Sequence, residues 1–123
     1  MLTYNQMVVD QLTEAEIDRV FHALSDATRR DLLRRAADGE LSVSRLADGY
    51  EMSFAAVQKH VAVLGRAGLV TKARHGREQL VRTDPVAVAR ARRALDALEA
   101  TWRERLGRMA DQLDTPNAQG DPR

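Results

Sequence analysis

A chain of 123 residues has room for one domain with a modest core and none for a second independent domain. Hydrophobic residues make up 44% and charged residues 30%, but aromatics only 4%, so the core must be aliphatic, a composition that favours helices. Without cysteine there is neither a disulfide nor a thiolate metal site, and a net charge of +1 by itself selects no class of partner. The start, MLTYNQMVVDQL, is not a basic region followed by a long apolar run. No stretch approaches the roughly 18–20 apolar residues that span a bilayer. A cytoplasmic protein with no membrane contact is expected.

Residues 1–13 have no clear period and read as an N-terminal arm. From Glu14 the pattern turns helical: Ile17, Val20, Phe21 and Leu24 share one face, and Thr13 before Glu14 and Glu16 suits a helix start. Asp26 is the natural cap of a second helix over about 27–38, with Leu32, Leu33 and Ala36 inward and Gly39 as the stop. Ser42 caps a short helix, 43–48, with Val43, Leu46 and Ala47 inward, and Gly49 ends it. Ser53 caps the next helix, closed by Gly68. Phe54, Val57, Val61 and Leu64 step by three, four and three and form one anchoring stripe, while Ala55, Gln58, Lys59 and Ala62 point elsewhere. A short helix, a tight turn and a longer helix with a small, polar outer face make a helix-turn-helix.

The period then changes. LVTKAR (69–74) and EQLVRT (78–83) alternate as strands around His75-Gly76-Arg77, and Gly76 suits the positive φ of a hairpin, so the pair forms a two-stranded wing. Asp84-Pro85 restarts helix as cap and first residue. Leu95, Leu98, Trp102, Leu106, Met109 and Leu113 step by three, four, four, three and four, a near-heptad seam. The ending TPNAQGDPR has the composition of a disordered tail. The expected architecture is mainly α (α+β): an arm over 1–13, a winged helix-turn-helix over 14–113 with about five helices and a hairpin, a C-terminal dimerisation helix from about 85, and a tail over 114–123.

Charge is unevenly spread. Residues 1–58 carry ten acids and six bases, a net of −4. Residues 59–82 carry Lys59, Arg66, Lys72, Arg74, Arg77 and Arg82 against Glu78 alone, a net of +5. One contiguous basic segment suits a face that meets a polyanion, or a merely solvated basic surface.

FHALSDATRRDLLRRAADGELSVSRLA and MSFAAVQKHVAVLGRAGLVTKARHGREQLVRTDP resemble the ArsR family of bacterial transcriptional repressors over about residues 17–113. The most specific pieces are Leu24-x-Asp26-x-Thr28-Arg29-Arg30, then Leu64-x-x-Ala67-Gly68-Leu69-Val70, then Gly76-Arg77, in that order and spacing. The resemblance implies a winged-helix dimer that represses and releases DNA on a signal. Metal-sensing relatives carry cysteines where this chain has Ser42 and Ser44, or His and carboxylates on the last helix, which here has no histidine. His22, His60 and His75 lie on separate elements. No metal and no cofactor are expected, and the chain resembles a non-metal branch whose small-molecule inducer, where one exists, is not specified.

Candidate DNA-contacting residues follow. Gln58 and Lys59 suit bidentate pairing with adenine and with guanine O6/N7, against a solvated-surface alternative. Ser53 caps its helix or donates to a phosphate. Ala55 and Ala56 allow close approach and a thymine methyl contact, or reflect helix propensity. His60 bonds a phosphate or supports helix packing. Arg74, His75 and Arg77 flank the wing tip, where a cation meets the minor groove or its phosphates, or only water. Arg29 and Arg30 read as structural, Arg30 paired with Asp26. Leu95, Leu98, Trp102, Leu106 and Met109 are candidate dimer-interface residues, or pack within one subunit. The functional expectation is a homodimeric (auto)repressor on a pseudo-palindromic double-stranded operator, using helix 53–66 and wing 69–83. The alternative is a winged-helix protein-interaction module that does not bind DNA specifically. No paired carboxylates, nucleophile–base pair or Gly-rich phosphate loop point to an enzyme.

Overall fold

Five short polar side chains start the five helices among the described residues. The first amides of a helix have no carbonyl a turn behind them, so a side-chain oxygen must accept from them. Thr13 accepts from Glu16 N, Asp26 from Arg29 N, Ser42 from Arg45 N and Ser53 from Ala56 N, each at 3.1 Å. Asp84 Oδ1 accepts from Val86 N at 3.0 Å. At the first of these the box is reciprocal, because Glu16 Oε1 accepts from Thr13 N at 2.8 Å.

The structure, a computed structural model, describes residues 11–120, with side chains over 11–113. Helices α1 (Glu14–Leu24) and α2 (Ala27–Ala37) precede a short strand β1 (Leu41–Ser42) and a short helix α3 (Val43–Ala47). Helix α4 (Phe54–Arg66) follows, then strands β2 (Val70–His75) and β3 (Glu78–Thr83) and helix α5 (Pro85–Gly120). The chain divides into two compact units, Met1–Ala91 and Arg92–Arg123. Most of the expected arm, residues 1–10, lies outside the described residues, as do 121–123 of the expected tail. The backbone of α5 continues helical through 114–120, past the expected stop at Leu113.

In the first unit the core is aliphatic, as composition requires. Val20 and Ala23 of α1, Leu32 and Ala36 of α2, Val43 and Leu46 of α3, and Val57, Val61 and Leu64 of α4 are buried together with Leu69, Val70 and Val81. One member of the anchoring stripe is corrected: Phe54 is 46% exposed. It occupies the first position of α4, where the stripe runs beyond the edge of the core.

The sheet has three antiparallel strands in the order β1-β3-β2, where alternation alone predicts two. Leu41 pairs with Val81 and Ser42 with Leu80. Two residues are too short to show a period, and Ser42 serves at once as strand partner and helix cap. Thr83 Oγ1 donates to Leu33 O at 2.7 Å, tying the end of β3 to α2. The hairpin is tighter than expected: His75 pairs with Glu78, which leaves Gly76 (φ 65°) and Arg77 as a two-residue turn.

Helix α4 stops through Gly68 at φ 77°. Gly68 N donates to Gly65 O at 3.0 Å and Leu69 N to Leu64 O at 3.0 Å, satisfying the last carbonyls while Leu64 and Leu69 meet in the core. A Cβ at Gly68 would touch nothing within 4 Å, so the only cost of a side chain is the left-handed backbone. Gly68→Ala is therefore expected to lower stability by about 1–2 kcal/mol, seen as a lower urea midpoint with an unchanged slope. An unchanged midpoint would contradict the assignment.

Candidate nucleic-acid interface

Helix α4 is buried on one side and bare on the other. Val57, Val61 and Leu64 face the core, while Ser53, Ala55, Gln58 and Lys59 are exposed and Ala56 and His60 are half-buried. Helical periodicity groups Ala55, Gln58 and Lys59 on one outward surface at spacings of three and four. The two readings of Ser53 are compatible. Its Oγ accepts from Ala56 N, and a hydroxyl that accepts still has its own hydrogen to donate outward.

The wing places its candidates differently. Arg74, His75 and Arg77 are all exposed. Arg74 pairs with Gln79 and His75 with Glu78, so strand alternation puts Arg74 and His75 on opposite faces of the ribbon. Only the tip, at Gly76-Arg77, belongs to neither face. A Cβ at Gly65 would lie 3.2 Å from Lys72 Cε, so the Lys72 stem lies close over the last turn of α4.

His60 does not stand alone. Its Nδ1 is 3.2 Å from Arg29 Nη1 and 3.9 Å from Asp26 Oδ2. Arg29 also donates from Nε to Ala23 O (2.7 Å) and from Nη2 to His22 O (3.0 Å), closing the end of α1. The Asp26 carboxyl is held below its ordinary range, first by the Arg29 amide it caps and, against some desolvation, by the Arg29 charge beside it. The expected Arg30–Asp26 pair is not formed. Arg30 Nη1 donates instead to Leu24 O at 2.6 Å, because the open carbonyls at the end of α1 lie within its reach.

Sequence reasoning missed the clamp on the turn. Arg35 Nη1 donates to Leu46 O (3.1 Å) and its guanidinium stacks 5.2 Å from the centre of the Tyr50 ring. The Tyr50 hydroxyl donates to Asp31 Oδ2 at 2.5 Å, and Arg34 pairs with the other carboxylate oxygen. The guanidinium lies so close to Gly49 that a Cβ there would be 2.5 Å from Nη1. The available signal was Asp31 and Arg35 one helical turn apart, with one of the chain's few aromatics in the following turn. Among the described residues no group of three or more His, Cys, Asp or Glu is placed to hold a metal, and no helix is long and apolar enough to cross a membrane.

A family model described as "Bacterial regulatory protein, arsR family" matches residues 26–72, from the Asp26 cap to Lys72 of the wing. The HTH-type transcriptional regulator Rv2034 of Mycobacterium tuberculosis is 36% identical over 98 residues, covering 80% of this chain and 89% of that protein. The chain belongs to the ArsR family. Among solved structures, an ArsR-like transcriptional regulator from Rhodococcus sp. RHA1 is 34% identical with a TM-score of 0.70, over 80% of this chain and 92% of that one. The homodimeric winged helix-turn-helix DNA-binding domain (fragment 1-100) of Mb0332 from Mycobacterium bovis has the same fold, with 24% identity and a TM-score of 0.57 over 81% of this chain and 88% of that one. This ArsR-family protein is thus a transcriptional regulator with a DNA-binding winged helix-turn-helix fold, and not an enzyme.

The clamp makes the regulator's turn sensitive to acid. The Tyr50 hydroxyl, more than Arg34 and Arg35, holds the Asp31 carboxyl below its ordinary value of 3.8, despite some desolvation. A depressed folded-state value adds stability above that pH and loses it as the pH falls through the folded value. Tyr50→Phe is expected to cost about 1 kcal/mol at neutral pH, and the deficit should narrow as the pH drops below 3.8. Urea midpoints of both proteins across the acid range measure this; an equal deficit at every pH would rule out the clamp as its source.

Proposed function

We propose that this regulator is a homodimeric repressor, acting in the cytoplasm, that binds a pseudo-palindromic operator through α4 and the wing and controls transcription by occupying it. The observation that carries the reading is the two-sided character of α4, with its inner stripe in the core and Ser53, Ala55, Gln58 and Lys59 exposed. On this reading Gln58 and Lys59 read base edges, Ala55 and Ala56 let the backbone come close, and Ser53 and His60 meet phosphates. The wing tip brings Arg77, with Arg74 and His75 behind it, to the adjacent backbone or minor groove.

Dimerisation is supported by α5. Leu95, Leu98, Trp102, Leu106 and Met109 share one face and are between 44% and 60% exposed, an apolar stripe flanked by Glu99–Arg103 and Glu104–Arg108 pairs of 3.1 and 2.8 Å. A second copy packed on that stripe gives a two-fold body. Its two recognition helices then suit half-sites one DNA turn, or a multiple of it, apart.

Lys59→Ala is expected to cost about 1–3 kcal/mol on the preferred sequence and to relax its choice there, whereas Arg77→Ala weakens binding to all sequences and flattens the salt slope by about one. Trp102→Glu should give a monomer in sedimentation and lose the two-fold site. Gel shifts indifferent to both DNA-face variants, with little loss of binding on raising salt, would return the chain to a protein-interaction role.

A further inference from the structure

We infer that His60 is an uncharged phosphate donor whose tautomer is set by Arg29, so that one contact of the DNA-bound state does not depend on salt. This rests on the reading of α4 as the DNA-facing helix and assigns the chemistry of one of its contacts.

A guanidinium has donors only. In the 3.2 Å contact between Arg29 Nη1 and His60 Nδ1, the imidazole nitrogen must therefore accept, and it carries no proton. The ring proton is then on Nε2. That atom bonds to none of the described residues, yet it is not among the buried polar atoms lacking a partner, so it reaches water. The His60 side chain is 23% exposed, one position after exposed Lys59.

Asp26 is the other group facing the ring. At 3.9 Å from Nδ1 it is beyond hydrogen-bond range, and its Oδ2 is already engaged by the Arg29 amide. Arg29 itself is held by the two α1 carbonyls it closes, so its third arm meets His60 in a fixed position. Arg29 is thus a positioning residue. It turns the acceptor edge of the imidazole inward and the donor edge outward, where a phosphate oxygen accepts. A neutral donor displaces no condensed cation, so this bond adds affinity without steepening the salt dependence.

Two measurements on the full chain test this. A long-range proton–nitrogen NMR spectrum of the histidines, without DNA, should show His60 Nδ1 unprotonated and Nε2 protonated. In Arg29→Ala the ring faces only the Asp26 carboxylate, an acceptor, and the proton should move to Nδ1. A wild-type ring protonated on Nδ1 overturns the assignment whether or not the variant folds. For binding, duplexes selected by the wild-type protein from a random pool serve as the probe. His60→Ala should weaken binding about tenfold with an unchanged salt slope, and His60→Gln, which keeps an acceptor and a donor on one planar group, should restore most of it. A slope reduced by about one in His60→Ala would mean a charged ring, and unchanged affinity would mean no contact; either overturns the phosphate role alone. Wild-type protein that binds no duplex would overturn the functional reading with it.

Discussion

The outward face of α4 exists because its inner face is pinned. Val57, Val61 and Leu64 are buried against α2 and α3, and each such side chain contributes about 1.5–3 kcal/mol relative to exposure. Rotating the helix by a third of a turn would expose that stripe and bury Lys59, so the hydrophobic term alone sets which residues look out. Everything polar on the helix inherits its direction from this. Capping by Ser53 and the left-handed exit at Gly68 fix where the helix begins and ends, and therefore which turn carries Gln58 and Lys59.

Much of this was legible because it is local. Caps, periods of three and four, and glycines in turns are properties of a few neighbouring residues, and Thr13, Asp26, Ser42, Ser53 and Asp84 all start helices where their residue types suggest. The failures share a different cause. Strand β1 is two residues long and defined only by its partner in β3, and Tyr50 meets Asp31 across 19 positions of sequence. Arg29 meets His60 across 31. Helical spacing pairs Arg30 with Asp26, one turn back, but a guanidinium at the start of α2 finds the open carbonyls of α1 within reach. Phe54 fits the apolar period and still falls off the core, since periodicity specifies a direction around the helix and not how far the neighbouring packing extends along it.

Two arginines divide the work of holding the helix-turn-helix together. Arg29 joins the end of α1 to α4, and Arg35 joins α2 to the end of α3 and the Tyr50 ring. Both bond mainly to backbone carbonyls, partners that are present whatever side chains surround them. A guanidinium suits this because its planar fork bonds several acceptors at once and stays charged throughout the pH range. The aliphatic core fixes the rotation of the helices, and these forks fix their spacing at the loops, where few apolar side chains are available.

The charge distribution sets what such a surface can achieve. A net of +5 over residues 59–82 attracts a polyanion, but the preceding 58 residues carry a net of −4, and the whole chain is close to neutral. Long-range attraction to arbitrary DNA is consequently limited, which favours discrimination, because sequence-independent binding comes almost entirely from phosphate neutralisation. A regulator built this way must recover affinity from short-range bonds that form only in register. Ser53, Gln58 and His60 are uncharged donors grouped around Lys59 on one helix, and on the reading proposed here they supply that part. Their hydrogen bonds are directional and vanish over an ångström or so of displacement, whereas the attraction of Arg74 and Arg77 for the backbone persists over a screening length. On that reading the cations of the wing favour the encounter, the neutral phosphate donors of α4 fix its register, and Gln58 and Lys59 decide at which sequence it becomes a complex.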